Sequence, residues 1–146
     1  MEVGYSKRRN DIGAVIIGRN EGGRLLTCIS SIKSSSHQIV YVDSGSTDDS
    51  VNQAKLQGCN VVSLDMNLPF TAARARNAGF SYLIDKYPAV KFVQFVDGDC
   101  ELNSNWIDHA HNYLLLNSNC AITCGRRRER FPERTVFNRL CDIEWN

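Results

Sequence analysis

Long apolar stretches are missing from this sequence. Its longest uninterrupted apolar runs are four residues, Ala14–Ile17, Ile39–Val42 and Tyr113–Leu116. A membrane-spanning helix needs about 20, so none is expected. An excess of one charge is also missing. Lys and Arg number 17 against 16 Asp and Glu, which argues against non-specific nucleic-acid binding as the main activity. Met1 to Asp11 is polar and basic without the apolar core of a signal peptide, so a soluble cytoplasmic protein is the expectation. No repeat or low-complexity segment is present. Two phosphate-binding signatures are absent as well. Gly18, Gly22 and Gly23 do not fit G-x-G-x-x-G, and no Gly-Lys-Ser or Gly-Lys-Thr follows them, which excludes a dinucleotide fingerprint and a P-loop. A phospho-acceptor receiver would need an acidic cluster closing the first strand, and Glu21 comes too late and alone.

Cysteine is plentiful, with six residues. Without an export signal they do not read as a disulfide framework. Cys28 and Cys120 fall in apolar patterns and read as small core residues. Cys120 and Cys124 are separated by three residues with no second ligand pair, so structural zinc is disfavoured.

A chain of 146 residues fits one domain, which buries roughly 68–70% of its unfolded surface. Ala14–Ile17 reads as a buried strand. After Glu21-Gly22-Gly23, the residues Leu25, Leu26, Ile29 and Ile32 repeat at helical spacing and stop at Ser34-Ser35-Ser36. A second strand runs over 38–42. Ser46 is the expected N-cap of a second helix with acids in its first turn, ending near Gly58. A third strand is expected over 60–64. Phe80, Leu83, Ile84 and Tyr87 mark a third helix closing before Pro88. A fourth strand is expected over 91–96. A fourth helix follows, carrying Trp106, Ile107, Ala110, Tyr113 and Leu114, capped near Asn103 or Ser104. Residues 120–125 are read as a fifth strand. Alternating strands and helices, with apolar runs in the strands, predict a mostly parallel α/β sheet with helices on both faces. His37, His109 and His111 show no ligand spacing and are expected to be exposed.

In such sheets ligands bind beyond the carboxyl ends of the strands. Polar residues gather there: Gly18-Arg19-Asn20-Glu21, Asp43-Ser44-Gly45-Ser46, Asn67, and Asp97-Gly98-Asp99. Two carboxylates two residues apart can meet one divalent cation, and the glycine between them removes a side chain where a ligand would approach. The same residues can also form a solvated turn.

Four segments, in order, resemble the nucleotide-sugar half of glycosyltransferase family 2, which has the GT-A fold. They are Val15-Ile16-Ile17-Gly18-Arg19-Asn20-Glu21, Val42-Asp43-Ser44-Gly45-Ser46-Thr47-Asp48, Asn67 with Ala75-Arg76-Asn77-Ala78-Gly79, and Phe95-Val96-Asp97-Gly98-Asp99. Cys124-Gly125-Arg126-Arg127-Arg128-Glu129-Arg130 resembles a stretch of one bacterial branch. The resemblance implies metal-assisted, inverting transfer of a sugar from a nucleotide-diphospho-sugar, UDP favoured. The acceptor would be a saccharide or lipid-linked, in surface or extracellular polysaccharide synthesis. Mg²⁺ or Mn²⁺ is the implied cofactor, with Asp97 and Asp99 as its ligands. Ile17, Arg19, Asn20, Glu21, Asp43, Ser44, Asn67, Arg76, Asp97 and Gly98 are the implied donor-binding residues. Ile17 stands where many members have proline, and Arg19 where many have an aromatic that stacks on the base; arginine can also stack. Asp43 could instead close an Asx-turn, and Arg76, like Arg74, could be a solvated helix cation.

Three regions are expected: a polar extension over 1–11, a nucleotide-sugar-binding α/β domain over 12–125, and a basic segment over 126–146 leading into a missing acceptor half, so that the GT-A fold is expected to be incomplete at the C-terminus. Arg126, Arg127, Arg128 and Arg130, with Arg134 and Arg139, either bind a diphosphate or anionic acceptor or form a solvated face partly neutralised by Glu129 and Glu133. The family's base lies in the acceptor half, and no residue here matches its motif. The expected location is cytoplasmic, with peripheral association at the inner membrane face as an option. A non-catalytic nucleotide-sugar-binding module and a nucleotidyltransferase are the alternative readings.

Overall fold

The computed structural model describes residues 9–36 and 38–145. The larger part of the expected N-terminal extension, and His37, lie outside the described residues. Within them the elements run β1 (Ile12–Gly18), α1 (Gly23–Lys33), β2 (Gln38–Asp43), α2 (Ser50–Leu56), β3 (Asn60–Ser63), α3 (Ala72–Lys86), β4 (Phe92–Asp97), α4 (Trp106–Leu116) and α5 (Val136–Glu144). Two compact units are distinct, one ending at Asp108 and one beginning at His109.

The first unit is built on a four-stranded sheet in the order β3-β2-β1-β4. Every pairing is parallel, so the α/β expectation holds. β1 is central, and its residues 12–17 are all buried. Because strand side chains alternate between faces, the apolar runs feed two cores. Ile12, Ala14, Ile16, Ile39 and Tyr41 pack with Leu25, Cys28, Ile29 and Ile32 of α1, Ala54 of α2 and Ile107. Val15, Ile17, Val40 and Val42 pack with Ala75 and Leu83 of α3. Helices therefore cover both faces. β1 passes to β2 on one side and pairs with β4 on the other, so the crevice between β1 and β4 is where strand order reverses.

Several local expectations need correction. α2 begins at Ser50, not after Ser46, and has no acid in its first turn. Asp48 Oδ1 accepts from the Ser50 amide at 3.0 Å, while Ser46 is drawn into a loop contact described below. The stop at Gly58 is as expected. Its φ of +79°, with Gly58 N–H donating to Lys55 and Cys59 N–H to Ala54, forms a Schellman end. On α3 the expected stripe is displaced. Leu83 is buried, but Phe80 and Ile84 are exposed, and the sheet-facing positions are Ala75 and Gly79. A Cβ on Gly79 would lie 2.4 Å from Val15 Cγ1 and 2.7 Å from Val42 Cγ2. The helix sits so close to the sheet that only small residues fit between. His111 is buried, contrary to expectation, since it lies one turn beyond buried Ile107 on the same face of α4; His109 is exposed as expected.

In the second unit residues 120–125 form no strand, and Ile122 is 79% exposed. Among the described residues these positions pair with no strand. The element that does form is α5, capped by Thr135, whose hydroxyl accepts from the Asn138 amide at 3.1 Å. No helix among the described residues is long and apolar enough to cross a membrane.

Candidate functional site

The carboxyl ends of β2, β1 and β4 place the candidate residues side by side. Asp43 is in register with Gly18, and Asp97 with Ile17. The two acids thus flank the end of the central strand. Residues 97–100 close a β-turn in which the Cys100 amide donates to the Asp97 carbonyl at 2.9 Å. The Gly98 amide donates to the Ile17 carbonyl at 2.8 Å, fixing the turn to β1. Gly98 is buried. A Cβ there would meet Glu21 Cγ at 3.1 Å and the Ile17 carbonyl oxygen at 3.2 Å. The space this glycine opens is filled by the protein's own first loop.

Asp97 and Arg76 are joined. Arg76 Nη2 donates to Asp97 Oδ1 at 2.7 Å, with side chains 38% and 45% exposed. Arg76 is therefore not a solvated cation, because α3 carries it to the β4 turn. Asp99 is exposed, and the Cys100 thiol lies 3.5 Å from its Oδ1. Behind the turn the Cys28 thiol lies 3.6 Å from the Asp97 carbonyl, and burial pushes the Cys28 pKa up to about 12. That thiol stays protonated at neutral pH.

Asp43 is 4% exposed. Its Oδ2 accepts from the amides of Gly45 and Ser46, both at 3.0 Å, and its Oδ1 from the Tyr41 hydroxyl at 3.2 Å. This is the Asx-turn geometry that competes with a ligand role. Burial raises the Tyr41 pKa, and its hydroxyl remains a donor. Ser44 donates its amide to the Gly18 carbonyl at 3.0 Å, tying the second loop to the first strand.

Asn20 ties the two loops again. Its φ is +56°, a left-handed conformation that asparagine tolerates better than most residues. Its Oδ1 accepts from the Thr47 amide at 2.7 Å, and its own amide donates to Ser46 Oγ at 2.9 Å. Glu21 pairs with Arg24 at 2.9 Å. Its Oε2 is shielded yet accepts no aligned hydrogen bond, so the pair is ionic without the alignment of a hydrogen bond. Ile17 is buried in the core facing α3, so its side chain belongs to the packing.

Asn67 is exposed and turned onto Asp65, to whose Oδ1 both its amide and Nδ2 donate at 2.9 Å. Two residues near it take roles that the sequence reading did not give them. Arg74 donates to the carbonyls of Asp65, Leu68 and Pro69 at 2.9, 3.2 and 3.4 Å, stapling the loop before α3. Phe70 on that loop is 47% exposed, and the Arg19 guanidinium lies 5.4 Å from its ring centroid. No sequence spacing links positions 19 and 70; only the folded loops bring them together.

The carboxylates suit a hard cation better than a soft one. No cluster of three or more His, Cys, Asp or Glu that could hold a metal occurs among the described residues. Asp97 and Asp99 stand as two carboxylates two residues apart at the β4 turn, Asp97 already engaged by Arg76.

An uncharacterized glycosyltransferase of Rickettsia prowazekii (strain Madrid E) is 39% identical over 51 residues. That match spans 35% of this chain and 18% of the relative's length. The family model described as Glycosyl transferase family 2 matches residues 14–143. This range takes in all four sheet-edge segments as well as the arginine-rich stretch, and the chain belongs to glycosyl transferase family 2.

Proposed function

We propose that the carboxyl edge of the sheet binds a nucleotide-diphospho-sugar, UDP favoured, for metal-assisted transfer of the sugar with inversion. The observation that carries this reading is the meeting of Asp97, Arg76 and the Asp43–Asp48 loop at the end of β1, where strand order reverses. Asp43 and Ser44 lie where the base or ribose would be read. Among the described residues Asp43 Oδ1 accepts from the Tyr41 hydroxyl alone, so it retains a lone pair for a ribose hydroxyl or base N–H. The first loop (Arg19, Asn20, Glu21) forms one wall, while Ile17 beneath it belongs to the core. Arg19 with Phe70 offers a flat face for a base, with Asn67 on the same stapled loop. Gly98 lets the first loop pack against the turn.

Asp97 and Asp99 would hold Mg²⁺ or Mn²⁺, which supplies positive charge to a departing nucleoside diphosphate. Arg76 orients Asp97 and adds a second positive charge beside it. Glu129 and Asp142 are both engaged within the second unit. The Phe131 amide, then Asn138, holds the Glu129 pKa below the usual carboxylate range, and hydrogen bonding to Arg128 does the same for Asp142. The acceptor is a saccharide or lipid-linked saccharide of surface or extracellular polysaccharide synthesis. In this reading the protein works in the cytoplasm, with peripheral association at the inner membrane face.

Calorimetric titration with UDP-, GDP- and dTDP-sugars, with and without Mn²⁺, tests the donor site. The expected result is saturable, Mn²⁺-dependent binding, strongest for one base. A folded chain that binds none of the three would refute it.

A further inference from the structure

A basic segment is usually a solvated surface, and here Glu129 and Glu133 would be its neutralising partners. The second unit does not use Glu129 that way. Its Oε1 accepts from the Phe131 amide at 3.1 Å and Asn138 Nδ2 at 3.0 Å. Asp142 takes a two-pronged bond from Arg128, at 2.7 and 2.8 Å, and a third from the Glu129 amide at 3.1 Å. Both acids are engaged in fastening residues 128–131 to α5. The arginines before them are left over. Among the described residues neither Arg126 nor Arg127 forms a hydrogen bond or ion pair. Both are exposed.

Arg127 is nonetheless positioned. Its guanidinium lies 4.0 Å from the Trp145 ring centroid, a stacking distance that covers one face and leaves the N–H edge open. Trp145 is in turn fixed as the C-cap of α5, its amide donating to the Cys141 carbonyl at 3.0 Å. Arg126 is near enough to Asp142 for its charge to help lower that carboxyl's pKa. Two guanidiniums on successive exposed residues, one braced on an indole, match the charge of a phosphate group.

We propose that Arg126 and Arg127 form a phosphate-binding pair in the second unit, taking the phosphate of an acceptor or of a lipid headgroup. The site does not rest on the donor reading, and its test separates the two. The full chain is titrated calorimetrically with inorganic pyrophosphate in chelator, so that no metal bridges pyrophosphate to Asp97 and Asp99. In parallel, sedimentation is measured with phosphatidylglycerol and with phosphatidylcholine vesicles. The variants are Arg126→Gln/Arg127→Gln, a charge-matched Arg134→Gln/Arg139→Gln control, and Asp99→Ala, each checked for folding by circular dichroism.

The expected result is saturable binding that falls at least tenfold in Arg126→Gln/Arg127→Gln and stays within twofold in the other two. Binding to pyrophosphate identifies a free or acceptor phosphate. Binding to phosphatidylglycerol vesicles alone identifies a lipid headgroup. The pair is overturned if binding survives its removal, falls equally in the charge-matched control, or is absent with both pyrophosphate and phosphatidylglycerol. Pyrophosphate binding that appears only when Mn²⁺ replaces the chelator, and is lost in Asp99→Ala, would place the phosphate at the sheet edge and also overturn it.

Discussion

Asp97 faces two partners with different demands. Arg76 holds its Oδ1 at 2.7 Å, and a cation would compete for the same carboxylate. Removing the guanidinium should therefore separate metal binding from donor binding. Arg76→Ala is expected to raise the affinity for Mn²⁺ alone while lowering that for a UDP-sugar at least tenfold, about 1.4 kcal/mol. Paired Mn²⁺ and UDP-sugar titrations check this, and both affinities moving together would contradict it. Asn20 gives a second test. Asn20→Ala keeps an unfavourable φ of +56°, at about 1–2 kcal/mol, and loses the acceptor for the Thr47 amide, worth about 1 kcal/mol. Asn20→Gly loses only the bond. Urea unfolding should rank the glycine variant above the alanine variant. Which residues gather at the sheet edge was legible in the sequence, because loops after parallel strands must meet there. What each side chain does was not. Asp43 accepts from the backbone amides that follow it and Asn67 donates to the Asp65 carboxylate, and short polar side chains have such local options whatever their motif. Arg74 reads as an ordinary helix cation until the loop it staples is in place.

At the scale of elements, α3 shows how close packing sets residue type. Gly79→Ala gains helix propensity worth about 1 kcal/mol. The new methyl would meet Val15 and Val42 at 2.4 and 2.7 Å, an overpacking that costs about 1–3 kcal/mol. The clash is with two branched side chains fixed in the sheet, so it should win. A lower urea midpoint is expected, and an unchanged or higher one would show that the helix can shift freely. The same closeness explains why the third helix was only partly legible. A search for large apolar residues found Leu83 but mistook Phe80 and Ile84 for its partners, when the contact surface is Ala75 and Gly79. The strands were easy to read because burial on both faces leaves continuous apolar runs. The start of α2 was misplaced because Ser46, Thr47, Asp48 and Asp49 can all cap, and Asn20, 27 positions from Thr47, decides among them. The expected fifth strand had the composition of a strand, but among the described residues it pairs with no neighbour, which composition alone does not reveal.

At the scale of the whole molecule the chain has two units with different supports. The first rests on two apolar cores about one sheet. Charged hydrogen bonds, with α5 contributing no buried residue, fasten residues 128–131 of the second. Acid should therefore act on the second. Glu129 and Asp142 have pKa values lowered in the folded state. Their contribution is full above the unfolded carboxylate range, about pH 4, and is lost as pH falls through the lowered values. Trp145 fluorescence should change over that range, and Asp142→Asn should remove most of the change. The first unit's place in the family leads to the most direct measurement. Mn²⁺ added with UDP to isotopically labelled protein should broaden the backbone amide signals of Gly98, Asp99 and Cys100 first, then Gly45 and Ser46. Those of Asn60 and Lys86, linked to each other by a 2.6 Å side-chain bond where β3 begins and α3 ends, should stay sharp. Broadening confined to 97–100 and the neighbouring loops is the expected result. Equal broadening at Asn60, or none at the Asp97–Asp99 turn, would contradict a metal-assisted donor site at the carboxyl edge of the sheet.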